Sequence, residues 1–104
     1  MKKILFPSKI QQLEPFTSRF DAFRLAAEGC DVLFAMYPAG TEIEPHDHDT
    51  DNYGIITRGK LYLTINGQEQ EYGPGDWYHV KKHQMHSARF IEDTEEIEFW
   101  FEEN

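Results

Sequence analysis

Cysteine is nearly absent. Cys30 stands alone in 104 residues, so no disulfide can close within the chain. That usage fits a reducing compartment, and a cytoplasmic location is expected. Basic residues are scarce as well, 10 Lys and Arg against 19 Asp and Glu, for a formal charge of −9. Such a charge opposes polyanions, so neither nucleic acid nor a membrane surface is an expected partner. Long apolar runs are missing. "MKKILFPSK" offers three apolar residues before Pro7, too few for a signal peptide. No segment approaches the roughly 20 apolar residues of a spanning helix. Repeats, low-complexity tracts, a phosphate-cradling loop and an activated nucleophile are absent too. The expectation is one soluble domain over residues 1–104.

Aromatic residues are plentiful: eight Phe, five Tyr and two Trp. Their large buried area suits a small sandwich or barrel. The patterning is that of an all-β chain. "DVLFAMY" (31–37), "YGIITR" (53–58) and "KLYLTING" (60–67) are short apolar or alternating runs. Turn signals separate them at 38–40, Gly59, Asn66-Gly67 and 73–75, and Asn66-Gly67 predicts a two-residue hairpin. Near the C-terminus Ile97, Phe99 and Phe101 alternate with Glu96, Glu98, Trp100 and Glu102. The alternation predicts a half-buried strand whose acidic residues form a solvated face. Only residues 8–29 allow a helix, on Phe16, Phe20 and Phe23; the same residues also read as strand with Phe23 out of register.

The histidines carry the functional signal. In "EPHDHDTDNYG" His46 and His48 share one face of an extended chain, and Asp47, Asp49 and Asp51 take the other. Two imidazoles on one face begin a divalent-metal site. His86, on a strand face with Ala88 and Phe90, is the candidate third ligand. The neighbouring aspartates are expected to raise the histidine pKa values.

The stretch "GTEIEPHDHDTDNYGIITRG" resembles the first motif of the cupin family, G-x5-H-x-H-x3-E-x6-G, with Gly40, His46, His48 and Gly59 in place. "GDWYHVKKHQMHSARF" resembles the second, G-x5-P-x-G-x2-H-x3-N. Gly75 and His86 match it, while Lys81, His83 and Phe90 replace the Pro, Gly and Asn. The resemblance covers residues 31–102, with a short intermotif stretch at 60–74, as in small single-domain cupins. It implies a double-stranded β-helix, or jelly-roll barrel, holding a metal inside. Carried over by position, the ligands are His46, His48 and His86, with Asn52 where the family has glutamate. An amide carries no charge and ligates more weakly than a carboxylate. Three outcomes are open: metal on three histidines, metal with the Asn52 oxygen added, or a metal-free polar pocket.

Tyr53, Arg58, Tyr62 and Tyr78 are further candidates for ligand contact. Gly54, in phase with Asn52, leaves space near the metal or allows close strand packing. His79 and His83 lie outside the ligand pattern and are read as rim residues. No residue set spells a reaction. The chain is read as a small cupin that binds a divalent metal (zinc, nickel, manganese or iron) and a small organic ligand. The alternatives are a metal-dependent enzyme, dioxygenase-like or an isomerase or lyase, and a metal-free binding module. Residues 1–15, with Ile4, Leu5 and Phe6, are a candidate strand for exchange with a second copy, which predicts a homodimer.

Overall fold

The computed structural model describes residues 6–102. A four-residue helix α1 (Ser8–Gln11) precedes ten strands: β1 (Glu14–Pro15), β2 (Asp21–Ala27), β3 (Cys30–Tyr37), β4 (Glu42–His46), β5 (Asp51–Arg58), β6 (Leu61–Ile65), β7 (Gln68–Tyr72), β8 (Trp77–Val80), β9 (His86–Arg89) and β10 (Thr94–Phe101). They form two antiparallel sheets. One has six strands in the order β1-β2-β3-β10-β5-β8, and the other four in the order β4-β9-β6-β7. The sheets face each other as a jelly-roll barrel, as the all-β patterning and the resemblance both required.

Local chemistry sets the turns. Asn66 and Gly67 take φ of 54° and 76°, and they close the β6–β7 hairpin with Ile65 opposite Gln68. Both positions tolerate the left-handed region that a two-residue turn demands. Gly59 adopts φ 86° with the Asp93 carbonyl and Thr94 packed where a Cβ would project, so the β5–β6 turn requires glycine. The ambiguous segment 8–29 resolves as one helical turn at Ser8–Gln11 followed by strand, and the phenylalanine-bearing part carries no helix. Residues 21–27 pair one-to-one with β3 across the Glu28-Gly29 turn, from Asp21↔Met36 to Ala27↔Cys30. Backbone pairing to an eight-residue strand outweighs a helix of marginal length. Phe20 stacks toward Tyr37 inside, and Phe23 lies opposite Phe34.

The core between the sheets is built on Ala22, Ala35, Tyr37, Ile56, Leu61, Leu63, Val80 and Phe90. Alternation places these residues inward on their strands, with Phe90 following the end of β9. On β10 the expected faces are exchanged. Glu96 and Glu98 are buried, at 1% and 7% exposure, and Glu95 is buried beside them. Ile97 and Phe99 lie on the outer face, where Phe99 packs near the exposed Trp77. The acidic C-terminal stretch is therefore not a solvated face over these residues. The register explains why. Glu98 sits between Leu33 and Gly54, both of which point into the barrel. A bulge at Glu95/Glu96 turns Glu95 toward Arg58, 3.6 Å away.

Ile4 and Leu5 lie outside the described residues. From residue 6 on, the N-terminal segment packs on its own chain. Phe6 meets Phe34 edge-on, and β1 pairs with β2. Among the described residues no helix is long and apolar enough to cross a membrane.

Candidate metal centre and cavity

Two strands and one turn bring the histidines together. His46 ends β4 directly opposite His86, the first residue of β9. His48 follows after one residue, and its carbonyl accepts the His83 backbone N–H at 2.7 Å, which ties the two motif segments to each other. The ring centroids lie 4.6 Å (46–48), 4.2 Å (46–86) and 5.1 Å (48–86) apart. One ligand atom from each ring lies within 4.8 Å of the other two.

The orientation of the rings is that of ligands. The Nδ1–H groups of His46 and His86 donate to the Glu44 and Gln84 carbonyls at 2.7 and 2.9 Å. That leaves each Nε2 with a lone pair facing the cavity, the usual outer-shell arrangement of metal-binding histidine. The Nε2 atoms of His46 and His48 are 3.1 Å apart. Two nitrogens each about 2.0–2.1 Å from a shared ion lie roughly 3 Å apart when the bond angle is near 95°. The donor set and spacing fit a divalent cation.

The electrostatics differ from the expectation of raised histidine pKa values. Burial, and then repulsion by His46 and His86, push His48 down to about 4, outweighing Asp47 and Asp49. His86 is also lowered, chiefly by burial. Asp47, Asp49 and Asp51 lie on the outer side, where their fields are screened. Asp51 instead bonds His79 at 2.6 Å, and Asp47 lies 3.5 Å from His83. His83 occupies the family's glycine position and keeps a positive φ of 64°.

The histidines open into a cavity of about 340 Å³ between the sheets. Asn52 lines it, 6% exposed, and its Oδ1 accepts from Thr50 Oγ1 at 2.6 Å. Tyr78 lines it too, donating to Glu96 Oε1. Gly54 makes room for the Tyr78 ring, so its role is close packing. The other three candidates lie elsewhere. Tyr53 is 37% exposed and stacks on His79 at 4.1 Å, because it is out of phase with the inward Asn52 and Gly54. Tyr62, between inward Leu61 and Leu63, packs beneath the Arg89 guanidinium at 4.5 Å. Arg58 lies by Glu95 and Met36 at the far end of β5.

Sequence reasoning missed a second polar group within the cavity. Tyr37 donates to Glu98 Oε2 at 2.5 Å, and Trp100 Nε1–H donates to Glu98 Oε1 at 3.0 Å. The Trp100 ring packs on His48 at 4.4 Å. Burial, followed by the charge of Glu98, pushes the Glu96 carboxyl well above the usual carboxylate range. Burial and these carboxyls raise both tyrosines as well. The signal lay in phase: Glu96, Glu98 and Trp100 share one face, and only one face of β10 can meet the core.

No curated protein matches the chain. Solved structures match along nearly its whole length. KdgF from Halomonas sp. has 20% identity and a TM-score of 0.79, covering 95% of this chain and 94% of that one. An RmlC-like cupin from Shewanella frigidimarina has 14% identity and a TM-score of 0.80, with coverage of 99% and 94%. A cupin superfamily protein from Desulfitobacterium hafniense has 15% identity and a TM-score of 0.76, with coverage of 88% and 84%. At these identities the likeness is one of fold. The family profile described as "Cupin domain" matches residues 33–101, and the chain belongs to the cupin family.

Proposed function

We propose that this cupin binds one divalent metal ion through His46, His48 and His86 and holds a small polar organic ligand in the adjoining cavity. The observation that carries the reading is the convergence of three imidazole ligand atoms within 4.8 Å of one another. Imidazole donors suit zinc, nickel or iron, and manganese, which favours oxygen donors, is the weakest of the four candidates. When bound, such an ion supplies a Lewis acid and open positions for a ligand oxygen. The chain's own residues do the rest. The Glu44 and Gln84 carbonyls fix two rings, Trp100 walls a third, and the burial of His48 keeps its ring in the neutral form that binds metal. Asn52 stays a candidate fourth donor.

Elemental analysis of protein purified without chelator tests this. About one equivalent of metal per chain is expected for one closed site, and its loss in His86→Ala. Metal-free wild type supports the binding module without metal. A second reading, a metal-dependent enzyme, is favoured by the buried Glu96 carboxyl in the same cavity, a group able to hold a proton there. Oxygen consumption by iron-loaded protein across a substrate panel separates dioxygenase chemistry from binding alone. We further infer a homodimer formed on the outer face of the six-stranded sheet, where Leu25, Trp77 and Phe101 stand exposed. Sedimentation at the monomer mass contradicts it.

A further inference from the structure

The reading of His46, His48 and His86 as ligands leaves a charge unanswered. Three neutral imidazoles and an amide give a divalent cation no negative partner. A cation so placed between the sheets, on half-buried imidazoles, lacks the compensation that desolvated charges need. The same cavity holds the opposite deficit. Glu98 is 7% exposed, its oxygens accept from two neutral donors, Tyr37 and Trp100, and among the described residues no lysine or arginine pairs with it. Two donors aimed at two oxygens are an arrangement that solvates a carboxylate. Glu96 beside it is pushed toward its protonated form by burial and by the charge of Glu98.

Register places Glu98 close to the centre. Asn52 lies opposite Trp100, and Gly54 opposite Glu98. Glu98 is therefore the diagonal neighbour of Asn52 on the inner face, about 7–8 Å away between Cα positions. The Trp100 indole bridges the two sites, packing on His48 and donating to Glu98. The group of converging ligand atoms contains the three histidines and no carboxylate, so Glu98 acts across the cavity.

We propose that Glu98 is the anionic partner of the histidine-held cation, supplying from β10 the charge that Asn52 on β5 lacks. This rests on the metal-site reading above. It makes Glu98 a positioning residue with an electrostatic role.

Zinc titrated alone into chelator-stripped protein tests it, with affinity as the readout. Glu98→Gln keeps the size and removes the charge; its carbonyl can still accept from Trp100, while its NH2 turns the Tyr37 hydroxyl from donor to acceptor. It should weaken zinc by about 10–100-fold. Asn52→Glu should strengthen zinc far more in the Glu98→Gln background than in wild type, because one carboxylate suffices. Zinc affinity in Glu98→Gln within about threefold of wild type, or additive effects across the four proteins, overturns the proposal. If Glu98→Gln does not fold, Tyr37→Phe replaces it. It leaves the histidines and Trp100 untouched and removes the O–H donated to Glu98 Oε2, so altered zinc affinity supports the proposal and unchanged affinity overturns it. His86→Ala separates the two claims. Loss of zinc there with full retention in Glu98→Gln removes only the Glu98 role; wild type that does not bind zinc removes both.

Discussion

A methyl group at position 54 would be driven into the ring of Tyr78. That ring carries the hydroxyl bonded to buried Glu96. Gly54→Ala is therefore expected to cost about 1–3 kcal/mol through overpacking, read as a lower urea midpoint. His83 presents the converse. It holds φ 64°, and its side chain is exposed. A non-glycine residue there carries a left-handed penalty of roughly 1–2 kcal/mol. Relieving part of it with His83→Gly should raise Tm by roughly 4 °C or more in a domain of this size. An unchanged or lower Tm contradicts the assignment of strain to that turn.

Strand β10 shows how far the sequence could be read. Its period-two pattern was legible, and so was its strand. Which face turns inward was not, because "EEIEFWF" offers apolar residues in one phase and Glu96, Glu98 and Trp100 in the other. Apolar burial favours the first choice, and the register with β3 and β5 enforces the second. The cost of two inward carboxyls is met by hydrogen bonds from Tyr37, Tyr78 and Trp100, partners that are 18 to 61 residues distant for the two tyrosines and invisible to local patterning. The histidines were easier, since spacing alone set His46 and His48 on one side and a second motif supplied His86. Tyr53 and Tyr62 lie outside the cavity because they are out of phase with the inward residues of β5 and β6, and Arg58, though in phase with Asn52 and Gly54, lies beyond it because the β10 bulge and the length of β5 carry it to the far end. Because Glu96 is held toward its neutral form, Glu96→Gln should be neutral or stabilising at pH 7, by up to about 2 kcal/mol. A cooperative loss of several kcal/mol would show that the charged form is needed.

At the scale of the whole molecule, two buried groups shape stability against pH with opposite signs. His48 is lowered to about 4 in the folded chain from 6.5. Below pH 6.5 the unfolded chain takes up the proton first, so this group withdraws stability as pH falls from 6.5 to about 4. Glu96 is raised above 4.5, so its contribution is largest below pH 4.5 and is lost as pH rises through its folded value. Melts of metal-free protein should lose Tm less steeply on acidification in His48→Gln than in wild type, and more steeply in Glu96→Gln. Identical slopes in all three contradict the burial of these groups.

The central claim is that imidazoles from two separate segments meet at one ion. X-ray absorption at the edge of the metal retained by the purified protein measures this directly. The account predicts the scattering signature of about three imidazole nitrogens near 2.0–2.1 Å for zinc. A bound metal surrounded by oxygen donors without imidazole would contradict it.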